Sequence, residues 1–127
     1  MTAYLLVFLG AGIGGAMRHG VNTGCARWCG LDFPWGTLTV NVAGSLAMGL
    51  IAGWLAFRAG EGWSQHARLF LTTGILGGFT TFSAYSLDAV LLWERGQIAA
   101  AAFYVVGSVI LSIVALAAGL AFVRTLA

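Results

Sequence analysis

Four long stretches of this chain carry no charged residue: Thr2–Met17, Phe33–Phe57, Leu69–Leu87 and Gly96–Val123. A helix that crosses a bilayer needs about 20 predominantly apolar residues, with a range of roughly 17–25. The pattern therefore predicts an all-α membrane protein, with four transmembrane helices making a single domain over residues 1–127. The expected spans run at about 3–23, 34–57, 67–93 and 97–124, the first carried past Arg18. The third stands apart. At its centre lies Gly74-Ile-Leu-Gly-Gly-Phe-Thr-Thr-Phe-Ser-Ala-Tyr-Ser86, which passes through two adjacent glycines and then two threonines. Each glycine costs about 1 kcal/mol against alanine in a helix interior. A segment that had only to span lipid would use Leu, Ile and Val there. Broken backbone at membrane depth is tolerated only where protein or a water-filled cavity surrounds it. A break near 77–81 is predicted, and this stretch is the candidate site.

Polar positions inside the other spans fall into stripes. Thr37, Asn41 and Ser45 recur at i, i+4 and i+8 on one face of the second helix, with Thr39 beside them in sequence. An amide buried without partners costs several kcal/mol, so Asn41 must either tie helices together or donate into a pathway. The length of the stripe favours the pathway. Gly44 and Gly49 in the same helix suit close approach of a neighbour. In the fourth span Tyr104, Ser108 and Ser112 repeat the i, i+4, i+8 spacing. A lone serine can bond back to its own helix, and small residues also mark tight packing. A second aligned stripe points to a polar track. Beyond the break, Phe82 and Tyr85 share a face that Asp88 continues by one turn. The break itself frees carbonyls, which suit a hard cation, and a half-helix N-terminus, which suits an anion.

Composition narrows the chemistry. The 127 residues are 60% hydrophobic and 8% charged, where a soluble domain carries about a quarter charged residues. The net charge of +2 is too small and scattered to suggest nucleic-acid binding. The N-terminus lacks the basic region and cleavage site of a signal peptide. Gly10-Ala-Gly-Ile-Gly-Gly15 matches G-x-G-x-x-G, but no alternating strands follow, and helix packing through Gly10, Ala11, Gly14 and Gly15 accounts for it better. Cys25 and Cys29 complete no metal set and are expected to be plain small residues. An enzyme would need a nucleophile paired with a base, and neither His19 nor His66 has a plausible buried partner, so no enzyme is expected.

Asp88 is the only carboxylate near the interior of a span. A coupled transporter places an ionisable residue deeper, so coupled antiport is disfavoured, as is a small dual-topology multidrug transporter, for which the first span lacks the embedded Glu. A non-transporting scaffold would leave the break and the aligned hydroxyls unexplained. What remains is a lining of amide, hydroxyl and aromatic-edge donors, fit for a small anion. Arg18 is either a snorkelling side chain or a cationic mouth. Arginines divide evenly, with Arg58, Arg68 and Arg124 on one side against Arg18, Arg27 and Arg95 on the other. The positive-inside rule then sets no orientation. Four helices are also too few to enclose much of a pore, so a homodimer is expected, antiparallel and of dual topology.

Gly14-Gly-Ala-Met-Arg18, Gly36-Thr-Leu-Thr-Val-Asn41 with Gly44, and Gly74-Ile-Leu-Gly-Gly-Phe-Thr-Thr-Phe-Ser83 resemble the signatures of the CrcB/Fluc fluoride channel family across essentially the whole chain. The resemblance implies a passive, fluoride-selective channel in a bacterial inner membrane, with two pores per dimer. It implies a structural Na⁺ at the dimer centre, held by backbone carbonyls of Gly77 and Thr80. Asn41, Phe82 and Tyr85 would line the fluoride pathway, with Thr39 and Ser83 beside them. Tyr104, Ser108 and Ser112 would form the polar track, and Arg18 would sit toward the vestibule. Fluoride would enter the cell as neutral HF, ionise, and leave through the channel. Tyr85 departs from the Phe usual at its place, and its hydroxyl would either block the ring-edge site or add a donor. Conduction at an altered rate is expected.

Overall fold

The computed structural model describes residues 1–57 and 65–126, all helical apart from short connections. Four helical segments are long and apolar enough to cross a membrane: Thr2–Cys29, Trp35–Phe57, Gln65–Glu94 and Ile98–Leu126. The first two are α1 and α2. The third is composite: α3 (Gln65–Arg68), a π-helical segment (Leu69–Leu76), α4 (Gly77–Phe79), then α5 (Phe82–Glu94). The last is α6 (Ile98–Leu126). Arg58 and Glu61, expected in the polar central loop, lie outside the described residues.

The first helix runs past its expected end near residue 23, to Cys29, and takes in most of the loop expected from Cys25 to Phe33. Gly24 alone costs a helix only about 1 kcal/mol, and Cys25 to Cys29 continue it without a breaker. The stop is Gly30, at φ 84°, whose N–H donates to the Ala26 carbonyl at 3.1 Å. Only glycine takes that φ without strain. Arg18 is consequently eleven residues before the helix end, about 16 Å at 1.5 Å per residue, rather than near it. α2 starts at Trp35, with the Leu38 N–H bonded to the Pro34 carbonyl at 3.2 Å.

Small residues set the helix crossings. Gly10 and Gly14 are the buried residues of α1. A Cβ at Gly14 would run into the Ile75 carbonyl, and one at Gly10 would lie 2.9 Å from the Gly74 Cα. α1 therefore lies directly on the π-helical segment, backbone to backbone. α2 packs most extensively on α6, where a Cβ at Gly49 would meet the Leu116 carbonyl. In lipid, such close approach gives van der Waals contact that the hydrophobic effect cannot supply between helices. Within the third span the Gly77 N–H reaches back to the Thr72 carbonyl, five residues away. π-helical turns of this kind appear frequently at functional sites. A cluster of buried side chains, Tyr85, Leu92, Ala101 and Tyr104, lies between α5 and α6, with Phe33 and Leu38 packed against it. The outward faces of α1 (Tyr4, Phe8, Ile13) and α6 (Phe103, Val106, Ile110, Ile113) are apolar and exposed.

Candidate functional site

The third span breaks at Thr80 and Thr81, both in extended conformation (φ −81°, ψ 158° and φ −153°, ψ 123°). Each free backbone group in such a break needs a partner. The Thr80 N–H and hydroxyl both donate to the Leu76 carbonyl at 3.0 Å, closing the first half. Thr81 caps the second half, its hydroxyl accepting from the Ala84 N–H at 3.2 Å, as a threonine N-cap does. Thr81's own backbone is satisfied from across the bundle. Asn41 Nδ2 donates to the Thr81 carbonyl at 3.0 Å, and the Thr81 N–H donates to Asn41 Oδ1 at 2.9 Å. The close seat of Thr80 depends on Gly44, where a Cβ would collide with the Thr80 methyl. Asn41 thus ties α2 to the break, and of its two amide N–H groups one is left to donate elsewhere.

Beside the break lies a cavity of about 400 Å³ between α2, the third span and α6. Its polar wall is Asn41, Ser45, Thr80, Thr81, Ser108 and Ser112, and its apolar wall includes Met48, Ile113 and Leu116. No carboxylate or cation is among these lining residues. Ser108 is 5% exposed and its Oγ has no hydrogen-bond partner. Phe82 stands at the edge of the cavity, 76% exposed. Tyr85 is 8% exposed, with its ring 5.3 Å from Phe82 and 5.2 Å from Tyr104. Its hydroxyl donates to the Val105 carbonyl of α6 at 2.8 Å.

Tyr104 is fully buried and stands between this cavity and a second one of about 260 Å³. The second is lined by Asn22, Trp35, Thr37, Asp88 and Arg95 among others. The Tyr104 hydroxyl donates to Asp88 Oδ2 at 3.1 Å, and the Phe33 ring meets the Tyr104 ring edge-on at 5.5 Å. Asn22 Oδ1 is buried without a partner.

The structure gathers most of the residues singled out in the sequence but not all. Asn41, Phe82, Tyr85, Ser108 and Ser112 line one cavity, with Gly77 and Thr80 of the break. The two stripes do not run whole along one passage, because Thr37 belongs to the second cavity and Tyr104 lies between the two. Thr39 is outside both walls, on the far side of α2, 4.0 Å from the Cys25 Sγ. Ser83 is exposed next to the Thr81 hydroxyl, and Arg18 is half-buried on α1 away from both cavities. Sequence reading missed the part played by Thr81. The signal was there, since a threonine directly before an apolar helix is a cap. The unpartnered Asn22 oxygen had no such signal.

The family model for CrcB-like protein, Camphor Resistance (CrcB), matches residues 5–120. The chain is 60% identical over 123 residues to a fluoride-specific ion channel FluC of Rhodopseudomonas palustris (strain BisB5), covering 97% of this chain and 98% of that one. It is 59% identical over 123 residues to fluoride-specific ion channel FluC 2 of Nitrobacter hamburgensis, again with 97% and 98% covered. With the FluC of Methylobacterium nodulans it shares 61% of 124 residues, 98% of each chain.

Proposed function

The chain belongs to the CrcB-like family, and we propose on that basis that it is a passive, fluoride-selective channel that lets cytoplasmic fluoride out. The observation that carries the reading is the uncharged, donor-bearing cavity against a broken span. A small, strongly hydrated anion gives up water only for donors that replace it. The remaining Asn41 N–H, the Ser108 and Ser112 hydroxyls and the positive edge of the Phe82 ring supply such donors without a fixed cation to trap the ion. Conduction needs binding favourable enough for entry and weak enough for release, and neutral donors suit that balance. The second cavity, with Arg95 and Asp88 on its wall, would serve as a hydrated mouth behind Tyr104.

The functional unit in this proposal is an antiparallel, dual-topology homodimer with two pores, seated in a bacterial inner membrane. A 76% exposed Phe82 beside the break supports it, because a second copy seated there would give the ring, and the cavity it borders, a further wall. The proposal includes a structural, untransported Na⁺ at the dimer centre, and the donor set fits one. The Thr81 N–H, which would close a helical turn onto the Gly77 carbonyl, is taken by Asn41. The Ala84 N–H, which stands in the same relation to the Thr80 carbonyl, is taken by the Thr81 hydroxyl. Both carbonyls are left without their helical donors, and neutral oxygens of this kind suit a hard monovalent cation. When bound, the ion would neutralise carbonyl dipoles and pin the two breaks together. Thr39 and Ser83 are kept as peripheral members of the pathway and Arg18 as a cation near its approach.

The test is efflux from liposomes carrying the purified protein. A fluoride electrode should record rapid release from fluoride-loaded vesicles, and chloride-loaded vesicles should release almost none. Equal rates for the two ions, or silence for both from folded protein in Na⁺, would overturn the proposal.

A further inference from the structure

We propose that the Tyr85 hydroxyl is a positioning group that keeps the Ser108 hydroxyl free to donate into the cavity. This rests on the ion pathway proposed above and assigns one of its donors a controlling partner. A buried serine in a helix ordinarily donates to a carbonyl three or four residues back. For Ser108 those carbonyls belong to Val105 and Tyr104. A carbonyl oxygen has two lone pairs. At Val105 one lone pair takes the helical N–H of Val109, and the second takes the Tyr85 hydroxyl at 2.8 Å. The acceptor three residues back is full. Ser108 does not use the other, since its Oγ is buried without any partner. A 5% exposed hydroxyl that makes no hydrogen bond within the protein has its proton available to whatever occupies the cavity it lines.

The phenol is well placed to hold this arrangement. Its ring packs between Phe82 and Tyr104, at 5.3 and 5.2 Å, so it cannot swing its oxygen off Val105 without disturbing both neighbours. Phenylalanine at 85 would keep the packing and vacate the lone pair. Ser108 would then turn onto Val105, and the cavity would lose a donor. Tyr85 in this role neither blocks the ring-edge site nor touches the ion. It acts through α6.

The experiment is a double-mutant cycle on fluoride efflux with Tyr85→Phe, Ser108→Ala and the pair, each reconstituted as the full chain. Hydrogen bonds to a charged partner are worth enough that losing one should slow efflux roughly ten-fold. Each single variant should show that loss, and the pair should be no slower than either alone. Losses that multiply to roughly a hundred-fold, or Tyr85→Phe at the parent rate, would overturn the inference. A general loosening of the α5–α6 seam predicts the multiplying result. A structure of the Tyr85→Phe protein decides the matter without flux. Ser108 Oγ should lie on the Val105 carbonyl, and Oγ left in its present position would refute the coupling. Absence of efflux from the unmodified protein would instead count against the channel reading, and the variant structure would still judge the coupling.

Discussion

Replacing Asn41 by alanine tests whether the break is held from outside by one amide. The substitution removes two hydrogen bonds, at 3.0 and 2.9 Å, and strands the Thr81 carbonyl and N–H that they satisfied. A typical intramolecular hydrogen bond contributes about 0.5–1.5 kcal/mol, and a buried group left unpaired costs about 1–3 kcal/mol. Two groups would give a loss of about 2–6 kcal/mol. Both bonds are only part-buried and border a cavity that admits water, so the lower half applies, about 2–4 kcal/mol. Asn41→Asp should lose at least as much, since the carboxylate still accepts from the Thr81 N–H but sets an acceptor oxygen against the Thr81 carbonyl and an unpaired charge inside the span. Reversible SDS unfolding in mixed micelles, followed by circular dichroism, measures the difference directly. If Asn41→Ala unfolds within about 0.5 kcal/mol of the parent protein, the bridge does not hold the break. Flux in the same proteins separates structure from lining. A residue that only lined the pathway would slow efflux and leave stability untouched.

The remaining expectations concern packing, the inner wall and topology. Gly14→Ala puts a methyl into the Ile75 carbonyl and should destabilise by about 3 kcal/mol, the upper part of the overpacking range, while Gly15→Ala, where a Cβ meets nothing within 4 Å, should stay within about 1 kcal/mol. Similar SDS midpoints for the two variants would remove the account of the α1 crossing. Tyr104→Phe deletes the bond to Asp88 and should cost about 1.5–3 kcal/mol, with efflux slowed as well; a parent-like unfolding curve would refute the bond's contribution. Cys29 is exposed at the end of α1. In a Cys25→Ala background, a membrane-impermeant maleimide applied to intact cells should label about half of the Cys29 thiols if the chain inserts both ways round. Labelling of nearly all or none would establish a single orientation.

The spans, the break and the polar stripes were legible in the chain because each follows from local rules. Lipid cannot satisfy a backbone, so uncharged runs of about 20 residues must be helical. Gly77-Gly78 followed by two threonines weakens a helix wherever it stands, and a repeat of four places two stripes on two faces. The end of α1 was not legible, because Gly24 and Gly30 look alike in the sequence and only the structure shows that Gly30 takes the positive φ that stops the helix. Only the tertiary structure decided what each polar group met. Thr39 and Asn41 are two residues apart in sequence, yet one faces Cys25 and the other closes the break, because α1 and the third span flank α2 on different sides. Nothing local told Tyr85 to spend its hydroxyl on Val105, twenty residues away, or left Ser108 without an acceptor. Periodicity puts a side chain on a face. Hydrogen-bond partners across 20 or 40 residues depend on how closely glycines let the helices approach, and that distance is set by the whole bundle at once.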